Sequence, residues 1–387
     1  MSWQGIQGHD ENVERFRRIL ASGRLASTFL FVGPPGVGKR TFALKLAQAL
    51  LCEVASEVEL NPCGSCPSCQ QVAAESHPDL ELIAKPADKS FIPVEVFIGD
   101  RDHRMRDGLC HNISLKPYLG GRKIAIIDDA DYLNQEGANC LLKTLEEPPP
   151  KSLIILIGSS EQTQIPTIRS RCQVVRFRAL RQEVVASLLL SLGEVETDIE
   201  AARLAALSHG SLQQAKQFSD ANLCDFRGEL LARLAQLPEK AVSLAADLGP
   251  FIDAAGKDAP VRRQRLKLVI MIAVEFYREL IRQASGEAVK KLGQAPRSYA
   301  KSLQNTDIHS EPVPFFHSLG ALSAGDTSLV GAVETVLRTR RVDIEATAAC
   351  VDRCLDAQAQ VDANANQATL IECWIDDLAQ LFESAYA

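Results

Sequence analysis

Hydrophobic positions in the first 180 residues alternate between two kinds of pattern. Val13, Phe16, Ile19 and Leu20 recur at helical spacing and predict a short helix, with Asp10 as its N-cap. Residues 28–32 form a short apolar run that predicts a buried strand. Residues 41–51 predict a helix, and residues 123–127 a second buried strand ending at Asp128-Asp129. Residues 139–145 predict a helix that Pro148-Pro149-Pro150 stops. Residues 153–157 and 173–177 predict a third and a fourth strand. Strands separated by helical segments imply an α/β domain: a parallel sheet with helices on both faces.

The pattern changes near residue 180. Strand-like runs stop, and Ala and Leu recur at helical spacing over residues 183–192, 201–207, 212–218 and 230–248. Residues 261–284 and 329–357 predict longer helices, with breaks at Gly249-Pro250 and across residues 293–314. The second half therefore reads as all-α. Three domains are expected: residues 1–180, a small helical domain over 181–220, and a larger helical bundle over 221–387.

Composition adds limits. The 387 residues are 46% hydrophobic and 24% charged, an ordinary balance for a globular chain. No apolar run is long enough for a membrane span, and Met1-Ser2-Trp3-Gln4 lacks the features of a signal peptide, so a cytoplasmic location is expected. Residues 1–180 hold 21 Lys+Arg and 21 Asp+Glu; residues 181–387 hold 21 and 28, which is the whole net charge of −7. An acidic second half argues against a primary DNA-binding domain and for packing against partner proteins.

The candidate chemistry begins at Gly33-Pro34-Pro35-Gly36-Val37-Gly38-Lys39, a G-x-x-x-x-G-K sequence after a strand and before a helix. Gly33, Gly36 and Gly38 let backbone N–H groups turn around phosphate oxygens, and Lys39 can reach the β- and γ-phosphates of ATP or ADP. The next residue is Arg40, where a Mg²⁺-binding hydroxyl belongs. Thr41 follows, rotated about 100° around the helix. Asp128 can hold a metal-bound water. Asp129 stands where a longer Glu would orient attacking water. These changes argue against hydrolysis and leave two alternatives, an empty loop or a trapped nucleotide.

Eleven cysteines in a chain of this kind argue against a disulfide framework. Cys140, Cys350 and Cys373 lie in apolar surroundings and are expected to be buried. Cys52, Cys63, Cys66 and Cys69 are different. Their spacing lets four thiolates converge on one ion, which suits structural Zn²⁺; a degenerate knuckle or a redox site are the alternatives. His77 is expected to cap or fill a core rather than to ligate. No Lys or Arg lies between Cys52 and Cys69, which argues against DNA binding there. Ser170-Arg171-Cys172 precedes the fourth strand. Arg171 is either a surface ion-pair residue or an arginine finger for a neighbouring subunit. Residues 100–107 are dense in charge of both signs and read as a solvated helix face.

Together with Ile126–Asp131, Leu141-Leu142-Lys143-Thr144-Leu145-Glu146-Glu147-Pro148 and the Ser-Arg-Cys turn, these residues resemble the bacterial clamp-loader subunits of the AAA+ class. The resemblance is to the delta-prime type of DNA polymerase III more than to the ATP-hydrolysing tau/gamma type. It is dense over residues 5–180, weaker over 181–220 and architectural beyond. It implies an AAA+ domain with a zinc module at residues 52–69, then an all-α lid and an all-α collar. It also implies a hetero-pentamer with tau/gamma and delta subunits that places the sliding clamp on primed DNA during replication. Arg171 matches the finger offered in trans. Gly210-Ser211-Leu212-Gln213 stands where an ATPase lid carries a sensing arginine, and Ser159 or Ser160 fits a first sensor position. A tau/gamma-type ATPase is the alternative; an AAA+ protein of recombination or repair is a more distant one.

Overall fold

Thr28–Val32 (β1) is buried along its whole length, and it pairs on both sides. Alternation along a strand sends successive side chains to opposite faces. Phe29 and Phe31 join Phe16, Phe42 and Phe177 in a tilted and edge-on aromatic cluster on one face. Leu30 and Val32 belong to the core on the other face, with Phe97, Leu141 and Ile154. A strand buried on both faces reads as one apolar run, which is why its sequence was legible.

A computed structural model describes residues 3–86, 89–104, 106–119, 121–293 and 327–386. Most of the predicted break across 293–314, and Met105 of the charged segment, lie outside them. The sheet is parallel and five-stranded, in the order β2 (Leu80–Ile83), β3 (Lys123–Ile127), β4 (Ser152–Gly158), β1, β5 (Gln173–Arg176). The strand β2 is an addition to the four predicted. It is four residues long, carries Glu81 in its middle and forms an edge, so it lacks the apolar run of the inner strands. Register places Val32 beside Gly158 and Ile127 beside Leu156, so β1, β3 and β4 end together. Ligands of open parallel sheets sit at this carboxyl edge.

The helices of this region are α1 (Asp10–Ala21), α2 (Lys39–Leu51), α3 (Pro67–Ala73), α4 (Glu95–Ile98), α5 (Leu109–Asn112), α6 (Gln135–Glu146) and α7 (Pro166–Arg169). After β5 come α8 (Gln182–Ser191), α9 (Asp198–Leu207) and α10 (Leu212–Gln217). Asp10 is the first helical residue rather than the cap: His9 holds the N-cap position and turns its ring inward. The described residues of 100–107 are not helical. Asp100 Oδ1 accepts from the Asp102 and His103 N–H groups at 3.1 and 2.8 Å, making a turn, and Gly99 and Gly108 close its base so tightly that a Cβ on Gly108 would stand 2.7 Å from Gly99 N.

The chain divides into two compact units, residues 1–217 and 218–387. The second is helical: α11 (Ala221–Leu234), α12 (Ala241–Asp253), α13 (Ala259–Gly293), α14 (Thr327–Thr339), α15 (Ile344–Asp362) and α16 (Gln367–Tyr386). Three expectations are corrected here. The single helix expected over 230–248 is split between α11 and α12 at a turn containing Pro238, which has no N–H to continue a helix. The break at Gly249-Pro250 lies inside the last turn of α12. The helix expected over 329–357 is divided at Asp343, which caps α15 by accepting from the Glu345 and Ala346 N–H groups. Cys350 is buried as expected and Cys140 is half-buried, but Cys373 is exposed on α16.

Candidate functional site

The phosphate loop leaves β1 at Gly33. Its φ of +152° and a hypothetical Cβ only 2.1 Å from the Phe177 carbonyl require glycine there. Gly36, at φ +74°, presses on α10: a Cβ would fall 2.2 Å from Ser211 Oγ and 2.6 Å from Gln213 Cβ. Gly38 is the N-cap of α2. His9 Nε2 donates to the Val37 carbonyl at 2.7 Å and so ties α1 to the loop. Burial lowers the His9 pKa, which keeps the ring neutral.

Lys39 is only 8% exposed. Its ammonium donates to the Gly33 and Pro34 carbonyls at 2.6 and 2.7 Å, inside its own loop. Burial lowers its pKa, while Asp128 and Asp131 act in the opposite direction. Arg40 occupies the position of the usual metal-binding hydroxyl. Its guanidinium grips both Glu75 carboxylate oxygens at 2.7 Å and lies 3.6 Å from Asp128 Oδ2. Burial raises the Asp128 pKa, and Asp129 adds to the shift; Arg40 and Lys39 partly offset it. Thr41 is exposed. These residues do not fit a Mg²⁺ ion in its ordinary place: Mg²⁺ demands oxygen ligands in a near-octahedral shell, and a guanidinium stands there instead. The glycines and Lys39 keep the residue types that hold phosphate.

Asp131 was not singled out by the sequence. Its Oδ2 accepts from Ser159 N–H at 2.7 Å, and its Oδ1 from the Thr163 hydroxyl at 2.7 Å and from the Gln164 amide. The Ser159 carbonyl in turn accepts from Gly33 N–H at 3.1 Å. Asp131 thus fixes Ser159 beside the loop's first residue. Gln213 N–H points at the Gly36 carbonyl, 3.4 Å away, which places α10 against the loop with a glutamine rather than an arginine at this contact.

Cys52 ends α2, and Cys66 caps α3 by accepting from Cys69 N–H. All four Sγ atoms of Cys52, Cys63, Cys66 and Cys69 lie within 4.8 Å of one another, with Cys52–Cys66 and Cys63–Cys69 at 4.0 Å. Tetrahedral Zn–S bonds of about 2.3 Å imply sulfur separations of about 3.8 Å, so the cluster has the dimensions to hold a metal ion. Backbone N–H groups of Cys66 and neighbouring residues pull the Cys63 thiol down to about 6, toward the thiolate that a metal needs. His77 is no ligand. Its Nδ1 accepts from Asp79 N–H and its Nε2 donates to Ser68 Oγ at 3.1 Å; the Ser68 hydroxyl in turn donates a hydrogen bond to Glu53 Oε1 at 2.6 Å.

Arg171 stands at the opposite end of β1 from the loop. Its Nε donates to Glu146 Oε1 at 2.8 Å, and its Nη1 to the Thr167 carbonyl at 2.8 Å. The Thr28 hydroxyl donates to the Arg171 carbonyl at 2.7 Å, pinning the turn to the start of β1. Burial pushes the Cys172 thiol up to about 12, so it is a packed thiol.

Residues 8–181 match a family model described as DNA polymerase III, delta subunit. A DNA polymerase III subunit delta' of Pseudomonas aeruginosa is 36% identical over 147 residues, covering 38% of this chain and 42% of the relative. One of Bacillus subtilis is 31% identical over 196 residues, covering 51% and 54%. The Escherichia coli DNA polymerase III subunit tau is 30% identical over 229 residues, 58% of this chain and 33% of that one. The matched part thus spans about half the length of these delta' relatives and a third of the tau subunit. The loop, the cysteine cluster and the Ser-Arg-Cys turn all fall inside residues 8–181, and over that stretch the chain is similar to the DNA polymerase III subunits of the delta-prime kind.

Proposed function

We propose that this chain is a delta-prime-type, non-motor subunit of a DNA polymerase III clamp loader. In this reading it joins tau/gamma- and delta-type subunits in a hetero-pentamer that opens the sliding clamp and places it on primed DNA in the cytoplasm. The observation that carries the reading is the residue after the loop lysine: Arg40 stands where the metal-binding hydroxyl belongs, with its guanidinium on Glu75 and 3.6 Å from Asp128. Such a site is poorly built for hydrolysis, which needs a metal and an oriented water.

Residues 1–180 then form the nucleotide-binding-type AAA+ domain, residues 181–220 the lid and residues 221–387 the collar. The cysteine cluster holds a structural Zn²⁺ that braces residues 52–69. Arg171 is the finger presented to the ATP site of the adjacent subunit, where its fork grips phosphate oxygens.

Reconstitution with tau-type and delta-type partners tests this. The chain should copurify in one complex and show negligible ATP turnover alone. Robust turnover by the isolated chain, abolished by Lys39→Ala, would overturn the non-motor reading.

A further inference from the structure

We infer that the Arg40 guanidinium is the chain's own cation in the place of the divalent metal, and that Glu75 is the positioning residue that holds it there. The inference deepens the non-motor reading and rests on the same phosphate loop.

Two carboxylates from separate elements meet on this one side chain. Asp128 directly follows β3, and Glu75 lies in the turn after α3. One Arg40 nitrogen, Nη2, stands 2.7 Å from each Glu75 oxygen, so both carboxylate oxygens accept from the same end of the guanidinium. The contact to Asp128 is longer, at 3.6 Å. Glu75 is therefore the tether and Asp128 the group being neutralised. The cation carries one charge already shared between two carboxylates. A guanidinium meets oxygens only by donating hydrogen bonds, so it cannot gather an octahedral shell of phosphate and water oxygens as Mg²⁺ does.

The tether is built into the backbone. Glu75 sits at φ +56°, an uncommon left-handed conformation for a long side chain. The turn is held by Glu75 N–H donating to the Val72 carbonyl and Ser76 N–H to the Gln71 carbonyl. The same α3 starts at Cys66 and contains Cys69. The cysteine module thus delivers Glu75 to Arg40, and α2 joins the two sites from the other side, running from Lys39 to Cys52. The cysteine-rich segment places the acid that closes the metal position.

The consequence is measurable as metal dependence. The full chain is titrated against ADP carrying a fluorescent ribose label, in millimolar Mg²⁺ and again in EDTA. The wild-type response should be the same in both, whether binding is weak or absent. Arg40→Thr restores a hydroxyl and vacates the position; Mg²⁺ should then strengthen binding roughly tenfold or more. Glu75→Gln should move part of the way. Arg40→Ser serves if the threonine variant is unfolded by circular dichroism. Manganese paramagnetic resonance gives a second readout: one ion bound beside nucleotide in the Arg40 variant and none in wild type. The inference fails if wild-type binding depends on Mg²⁺, or if folded Arg40 variants gain no metal dependence. A metal-dependent wild type without turnover would sink it and leave the non-motor reading standing.

Discussion

Arg171 lies on the carboxylate of Glu146, joining the turn before β5 to the last residue of α6. The side chains keep 31% and 49% of their exposure, so water screens the pair and it contributes about 1 kcal/mol or less. A contact that weak can be exchanged for a phosphate. Arg171→Ala should leave assembly intact and lower the ATPase rate of the reconstituted complex by about 10³-fold or more. Arg171→Lys should not restore it, because an ammonium cannot reproduce the fork. Glu146→Gln should hold or raise the rate. A steady-state assay reads all three, and an unchanged rate in Arg171→Ala removes the finger from the account.

The cysteine cluster predicts about one zinc per purified chain, measured by atomic emission. The double change Cys66→Ser, Cys69→Ser should abolish metal binding and lower the melting temperature. Free-energy coupling between metal and fold is large in small metal-held modules, so the loss should be visible by calorimetry. Metal retained at full stoichiometry in that variant would refute the assignment.

His9 makes the loop acid-sensitive in one direction. Its folded pKa is depressed below 6.5, so below that pH the unfolded chain takes a proton that the folded chain refuses. The His9 contribution to stability is fully present above about pH 6.5 and is lost as the pH drops toward the depressed value. His9→Gln keeps a donor for the Val37 carbonyl and cannot titrate. Urea midpoints at pH 7 and pH 5.5 should differ less in the variant than in wild type; an equal difference would mean that His9 is not responsible.

Phe42 is fully buried and packs against Trp3, Phe16, Phe31 and Phe177. Phe42→Ala should cost about 3–5 kcal/mol by denaturant unfolding. It sits on the first turn of α2, so the same change should also loosen the phosphate loop, read as faster amide exchange at Val37 and Gly38.

What the sequence revealed followed its physics. The inner strands were legible because burial on both faces makes unbroken apolar runs, and the loop because its glycines and lysine have a fixed spacing. Strand β2 was missed because an edge strand of four residues with a central Glu81 carries little pattern. Glu75, Asp131 and His9 were missed for another reason. Each acts through a partner distant in sequence: Glu75 on Arg40, Asp131 on Ser159, His9 on Val37. Adjacent residues gave no signal of those meetings. The turns that divide the helices of the second unit were misread where Pro and Gly were taken as breaks by type alone, since Pro250 is accommodated near a helix end.

One strand also acts as a spacer. Thr28 anchors the Arg171 turn at the start of β1, and Gly33 opens the phosphate loop directly after its end. At the ordinary rise of a strand, Thr28 and Val32 are about 13 Å apart. The chain's own arginine and its own loop therefore lie at opposite rims of the sheet, and a rigid, fully buried strand keeps them apart. No small rearrangement can bring Arg171 to serve Lys39 in the same molecule. Under the proposed finger role, the phosphate this arginine meets would belong to another chain, and contacts of that head-to-tail kind are not self-complementary. In the proposed assembly, a β1-like ruler would give each subunit a donating rim and a receiving rim, and with them a polarity.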